Sequence, residues 1–221
     1  ILNKGFNNES TKRKIESNNH PDLLWVAPCY MVQGKSITQE TAKLENISIK
    51  ERRNNLILSN IDIFIPSGTT VSISAGVGKG KTALMECIGL IKKPNSGIVH
   101  LLGKDTSKLN REEISKLHKN IGIVFENNFF LSNLTVDENI IFPLILNNQN
   151  KLAIKNTLAE LLSWLNLKKF IGESISNLSF FELKLVQFAR AIISRPRILL
   201  LDEFFLGFGE DIEKKIIYLL L

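Results

Sequence analysis

Cysteine, tryptophan, tyrosine and methionine occur only twice each in 221 residues, histidine three times and proline six times. Two cysteines, Cys29 and Cys87, are too few and too far apart for a disulfide framework or a clustered metal site. They read as ordinary core thiols in a reducing compartment. No apolar run approaches the ~20 residues that a membrane span requires. Candidates such as Ile140 to Leu146 and Ile198 to Leu201 are short and flanked by polar or charged residues, so any membrane contact is expected to be peripheral. No charged segment followed by an apolar run opens the chain at Ile1, and no signal peptide is read. Dense basic tracts with interleaved aromatics are missing too. The net charge of +6 and pI near 9.3 come from scattered Lys and Arg, which describes a solvated basic surface and no nucleic-acid partner.

What is present suffices for a core: 44% of residues are hydrophobic, and 221 residues fit one medium domain, or one core with a small inserted subdomain, with no need of staples. Residues 1–43 lack a clear period, are rich in Asn, Lys and Ser, and read as a partly disordered N-terminal extension. Leu44 to Ile49 and Leu56 to Ile65 alternate as strands around a turn at Arg52 to Asn55. Thr70 to Ser74 is β-branched and predicts a strand running into a Gly-rich loop, with an apolar helix over Thr82 to Ile91. A turn at Pro94 to Gly97 leads to a strand, Ile98 to Leu102, a charged helix, Arg111 to Lys119, and a buried-type strand, Ile121 to Phe125. Residues 127–179 are helical in pattern, with Leu152, Leu158, Leu161, Leu162 and Leu165 at helical spacing, and Ser176 to Ser179 breaks the pattern. A helix over Glu182 to Ser194 stops at Pro196, and Ile198 to Leu201 is an apolar strand ending in Asp202 and Glu203. The class is α/β, and polar residues at strand ends are where such sheets place ligands.

Ser74 to Thr82 reads SAGVGKGKT against the phosphate-loop pattern G-x-x-x-x-G-K-[ST], matching at Gly80, Lys81 and Thr82. The chemistry needs backbone N–H groups curled around phosphates at a helix N-terminus, a lysine on the terminal phosphates and a hydroxyl on Mg²⁺. Ala75, Gly76, Val77, Gly78, Lys79, Gly80, Lys81, Thr82 and Ala83 are the candidate phosphate-binding residues. Ala75 stands where the pattern's first glycine belongs. The bland alternative is a Gly-rich turn before any helix, and strand and helix in the required order argue against it.

Four further blocks, in order, resemble the ABC transporter ATPase family over most of residues 44–210. Pro94 to Lys104, PNSGIVHLLGK, looks like the segment after the phosphate-loop helix; Ile121 to Leu144 looks like the Q-loop region and the L-T-V-x-E-N helix start. Asn177 to Arg190 resembles the signature segment, and Ile198 to Glu203, ILLLDE, resembles Walker B with the catalytic glutamate. The resemblance implies a P-loop NTPase with a RecA-like core and an inserted α-helical subdomain. Residues 44–126 would be the first part of the core, 127–178 the subdomain, and 179–221 the signature helix and an apparently truncated second part. It implies ATP and Mg²⁺ as ligands, Glu203 and Lys81 as catalytic residues, and Thr82, Asp202 and Glu126 as metal ligands. Glu126 and the signature's Ser179 would also touch nucleotide. It further implies transmembrane permease partners, a homodimer or heterodimer of ATP-binding subunits, and a cytoplasmic chain peripheral on the inner face of the membrane.

Departures from the pattern carry physical consequences. The signature L-S-G-G-[QE] reads Leu178, Ser179, Phe180, Phe181, Glu182, with two aromatics where glycines would let backbone approach a γ-phosphate. The Q-loop glutamine is Glu126, the family's proline after Walker B is Phe204, and the D-loop aspartate position holds Gly209. Ile49 is the nearest equivalent of the aromatic that stacks on adenine. The family's switch histidine belongs on a strand later than Leu221, and His20, His100 and His118 lie too early. Two readings stay open: a transporter ATPase that couples MgATP hydrolysis to transport, and a degenerate, hydrolysis-deficient subunit with a structural or regulatory role. An ABC-type protein acting on DNA or ribosomes would suit the basic pI, but the chain lacks the long coiled coil or tandem cassettes of such proteins. Glu138 to Leu144 and Asp202 to Gly207 look similar to ATPases of the phospholipid-transport, Mce-associated type.

Overall fold

The structure, a computed structural model, describes residues 40–50, 55–76, 78–127 and 129–220. Residues 1–39 and Arg52 to Asn54 of the expected turn lie outside the described residues, whereas residues 40–43, read from the sequence as the end of the N-terminal extension, belong to the first strand. Strand β1 (Glu40–Lys50) pairs antiparallel with β2 (Leu56–Pro66), placing Leu44 opposite Ile63 and Ile49 opposite Leu58. On its other edge β1 pairs antiparallel with β3 (Ser96–Leu101), and β4 (Lys104–Asp105) extends the order to β2-β1-β3-β4. The buried face of β1 changes parity between Leu44 and Ile47, and the register shifts there. Asn46, at φ 54°, absorbs the extra residue as a bulge. Gly97 (φ 89°) lies so close to the backbone of Glu45 and Asn46 that no Cβ fits.

A second, parallel pair is formed by β5 (Ile121–Val124) and β6 (Ile198–Leu201), with Val124 opposite Leu201. Its strands read as unbroken apolar runs because both faces are covered. Val124, Leu199 and Leu201 enter one core with helices α3 (Val136–Leu146), α4 (Lys151–Trp164) and α5 (Phe180–Ile192). Ile198 and Leu200, with Ile121 and Ile123 packed alongside, enter a second core shared with the antiparallel sheet and helix α1 (Lys81–Ile88). Helix α2 (Arg111–His118) packs near β5, and α6 (Glu210–Leu220) closes the described chain. Helices α2, α3 and α5 each start with a capping box, Asn110/Glu113, Thr135/Glu138 and Ser179/Glu182, in which each side chain satisfies the other residue's backbone N–H.

Four details differ from the sequence expectations. Thr70 to Ser74 joins neither ladder; Val71 and Ile73 do pack on the second core, so the period-2 signal reports side-chain placement and not strand pairing. Helix α1 ends at Ile88, where Gly89 lets Ile123 press close to the backbone and Leu90 turns to φ 58°. Helix α5 starts at Phe180 because Glu182 is the third residue of a capping box and not a first helical residue. Strand β4 and helix α6 were not expected, although Ile212 and Ile216 have helical spacing behind an acidic first turn.

Candidate functional site

The loop before α1 ends at Gly80, whose φ of 86° and ψ of 16° put it in the left-handed region. A Cβ there would meet Ile57 Cγ2 at 2.5 Å and Leu58 Cγ at 3.0 Å, so only glycine fits. No side chain caps α1 and no acidic residue lies in its first turn. Its first N–H groups, with the positive end of the helix dipole, therefore face outward for an anion. Gly78, at φ 73°, has open space where a Cβ would project, and Lys79 N–H donates to Gly76 O at 3.2 Å. Val77 lies outside the described residues. Ala83 is partly buried against the second core. Ala75 holds its carbonyl toward the lysine of the motif: Lys81 Nζ donates to Ala75 O at 3.0 Å and lies 4.0 Å from Glu203 Oε1.

The parallel strands deliver the acidic side of the site. Asp202 N–H donates to Val124 O at 2.9 Å, extending the β5–β6 ladder by one residue. Asp202 is 3% exposed and its Oδ2 accepts a 2.8 Å hydrogen bond from Thr82 Oγ1. Burial raises its carboxyl above the ordinary value; the Thr82 bond opposes this, Glu203 adds to it and Lys81 offsets it. Glu203 follows at φ 47°, a left-handed setting that costs a non-glycine residue roughly 1 kcal/mol or more. Val124 and Leu201 face each other, so Glu126 and Glu203 leave the two strands at equal offsets.

Among the described residues no cluster of three or more His, Cys, Asp or Glu could hold a metal by side chains alone. Thr82 and Asp202 are hard oxygen donors set side by side next to the uncapped helix terminus. That donor set suits Mg²⁺ completed by phosphate oxygens and water, and not a closed protein cage. The residues present therefore fit a magnesium–nucleoside triphosphate.

Ser179 and the two aromatics after it stand at the start of α5. Ser179 Oγ donates to Glu182 Oε2 at 2.7 Å while Ser179 N–H donates to the same oxygen at 2.9 Å. These bonds lower the Glu182 carboxyl, with Lys169 contributing. Phe180 is 53% exposed and Phe181 44%. Phe181 packs on Phe180 at 5.6 Å and on Phe208 at 5.9 Å between ring centroids, and its ring lies over Gly207. Phe204, where the family pattern has proline, is buried and stacks on Phe188 at 5.0 Å. Gly209 stands just ahead of α6, and its position is open. Ile49, expected against adenine, is fully buried on the inner face of β1 and presents no surface to a base; that expectation is overturned by the strand's register.

Three residues that sequence reading passed over organise the loops around this site. Asn139, fully buried, accepts from Leu131 N–H at 2.9 Å, and its amide donates to the carbonyls of Leu131, Leu134 and Thr135 at 3.0 to 3.1 Å. Lys184 and Gln187, on α5, are 3% and 1% exposed and bond to backbone carbonyls. The available signal was polar residues at core positions of apolar helices, which are costly unless they have dedicated partners.

A family model described as ABC transporter matches residues 58–205. Among curated proteins, the methionine import ATP-binding protein MetN of Vibrio cholerae is 36% identical over 146 residues, covering 66% of this chain and 42% of the relative. The protein of the same name from Shigella boydii is 34% identical over 164 residues, covering 73% and 48%. The chain thus spans less than half the length of these two relatives. Among solved structures, the dimeric structure of MJ0796, a bacterial ABC transporter cassette, superimposes with a TM-score of 0.76 at 28% identity, covering 81% of each chain. A post-hydrolysis dimer of the same cassette bound to ADP and Pi gives 0.75. The fold is accordingly the P-loop NTPase fold.

Proposed function

This chain belongs to the ABC transporter family, and on that footing we propose that it is the ATP-binding part of a transporter, binding MgATP and coupling its turnover to transport through membrane partner subunits. The observation that carries the reading is the Thr82–Asp202 hydrogen bond of 2.8 Å beside Lys81 and the uncapped start of α1. In this reading the amides from Gly76 to Ala83 hold phosphates, Lys81 neutralises the terminal ones, and Thr82, Asp202 and Glu126 hold Mg²⁺. Held there, Mg²⁺ would supply charge neutralisation at the reacting phosphate, and Glu203 would orient and polarise the attacking water. Calorimetry tests it. Lys81→Ala should abolish MgATP binding, and unchanged affinity would overturn the assignment.

A second reading, a subunit with impaired hydrolysis, is favoured by the exposed Phe180 and Phe181 on the first turn of the signature helix. In a dimer of cassettes that turn would meet the partner's nucleotide, so a chain with its own Lys81, Asp202 and Glu203 intact and an obstructed signature fits a heterodimer with one good site.

Partner docking is proposed at the loop after β5. Phe129 is 63% exposed and Leu131 39%, with Phe125 edge-on to Phe129 at 6.0 Å. Phe130 is partly buried and lies under the Arg190 guanidinium at 5.2 Å. No helix among the described residues is long and apolar enough to cross a membrane, so a permease would supply the span and this loop its seat, on the cytoplasmic side. A photocrosslinker at Ser132 that captures no membrane protein in cells would count against this. The two segments that resemble phospholipid-transport ATPases fall in α3 and in the turn after β6. Methionine import is the role named for the curated relatives. Cargo choice rests with the permease, and co-purification of the membrane subunit decides between them.

A further inference from the structure

The turn that carries Glu203 is held by one buried ammonium. Lys184 Nζ donates to the carbonyls of Glu203 at 2.9 Å, Phe204 at 3.3 Å and Leu206 at 3.1 Å. An ammonium has three donors and no acceptor, so this turn consumes it. Burial lowers the Lys184 pKa, and Glu203 and Glu126 act against that shift. A lysine at such a position costs more than the leucine or methionine that would fill it for packing alone. Gln187 lies at i+3 on the same helix face. Its Nε2 donates to Asn127 O at 3.2 Å, next to Glu126, and its Oε1 has no partner among the described residues. One face of α5 therefore grips the backbone of both loops that leave β5 and β6.

We propose that Lys184 and Gln187 are positioning residues for the phosphate site, fixing from α5 the backbone from which Glu203 and Glu126 project. The left-handed setting of Glu203 is then kept by bonds to its own carbonyl and to the next turn, and the strain has a holder. Because Ser179 caps α5, a shift of the signature end of this helix is passed to both carboxylates. The proposal deepens the ATPase reading and rests on it.

The test compares wild type with Lys184→Met, Gln187→Met and Glu203→Gln. It uses MgATP affinity by calorimetry, kcat and KM for hydrolysis, and amide hydrogen exchange resolved over residues 203–208 and 126–131. Lys184→Met should bind MgATP within about threefold of wild type and lose roughly 10²-fold in kcat at similar KM, the size of loss seen when a transition-state contact is misplaced. Its exchange over 203–208 should rise at least ~10-fold while other segments stay protected. Gln187→Met should raise exchange over 126–131 and leave 203–208 alone. If Lys184→Met does not fold, Lys184→Gln, which keeps two donors, carries the same comparison. Unchanged exchange over 203–208 in a folded Lys184 variant, or kcat equal to wild type, overturns the positioning role. A wild type that binds no MgATP, or hydrolysis indifferent to Glu203→Gln, overturns the ATPase reading instead, and the exchange measurement still decides the clamp.

Discussion

Thr82 Oγ1 and Asp202 Oδ2, 120 residues apart in the chain, lie 2.8 Å apart, and this hydrogen bond ties the phosphate-loop helix to the end of β6. The bond stabilises an ionised carboxylate that burial otherwise disfavours. It also sets two hard oxygen donors side by side, the kind of pair a hard cation would use.

The pH dependence of Asp202 follows from its direction of shift. Burial raises its folded-state pKa above the ordinary 3.8, so the folded chain holds that proton to higher pH than the unfolded chain does. Stability from this group is then lost as pH rises from 3.8 through the folded value, and at neutral pH the ionised Asp202 is a cost. Asp202→Asn should therefore melt higher than wild type at pH 7 without nucleotide, and the advantage should narrow as pH falls through the raised folded value toward 3.8, with no further change below it. The same variant should lose most of the melting-temperature gain that MgATP gives wild type. Thermal melts across pH, with and without MgATP, check both halves.

Gly80 supports a sharper substitution. Gly80→Ala must hold a Cβ in the left-handed region and push against Ile57 and Leu58. The backbone alone costs about 1–2 kcal/mol and the clash adds to it. Gly78→Ala meets nothing within 4 Å at φ 73°, so only the backbone cost remains. Urea unfolding should rank Gly80→Ala as the more damaging of the two.

Helix caps give a third comparison. Ser179→Ala and Asn110→Ala each remove the side chain that accepts from the third helical N–H, and each should cost about 1 kcal/mol by denaturant titration. Only Ser179→Ala should also alter nucleotide turnover, because only that cap lies at the proposed nucleotide-facing end. Equal turnover in the two variants would confine Ser179 to capping.

The sequence made some of this legible and hid the rest for physical reasons. The hairpin, the parallel pair and the loop at Gly80 are written in local patterns: alternation, an unbroken apolar run, a glycine spacing. Thr70 to Ser74 has the same alternation, yet whether a segment pairs depends on what lies beside it, which no local pattern contains. Ile49 was legible as apolar and not as buried, since the bulge at Asn46 fixes which side chains of β1 face inward. Lys184 looked like one more charge on a helix. Its meaning comes from three carbonyls contributed by a turn nineteen to twenty-two residues later in the chain.

Turnover and the two signature phenylalanines provide the last prediction. Phe180 and Phe181 occupy the first turn of α5, where glycines would expose backbone N–H groups to a γ-phosphate, and both rings are about half exposed. Donors held within hydrogen-bond reach of the transferring phosphoryl group each contribute roughly 10² or more in rate, so a blocked turn should make turnover slow. Phe180→Gly with Phe181→Gly should raise the rate, while adding about 1 kcal/mol of helix cost per glycine. Phe181 brings a further loss, because its contacts with Phe208 and Gly207 go with it. Phe180→Ala with Phe181→Ala separates the two effects: it keeps helix propensity and still clears the rings. ATPase rates of wild type, both double variants and Glu203→Gln decide the matter. If the phenylalanines obstruct, both double variants exceed wild type and Glu203→Gln falls to background. Robust wild-type turnover, lost in Glu203→Gln and unimproved in either double variant, would instead mean that the rings belong to an apolar contact with a partner and leave the phosphate open.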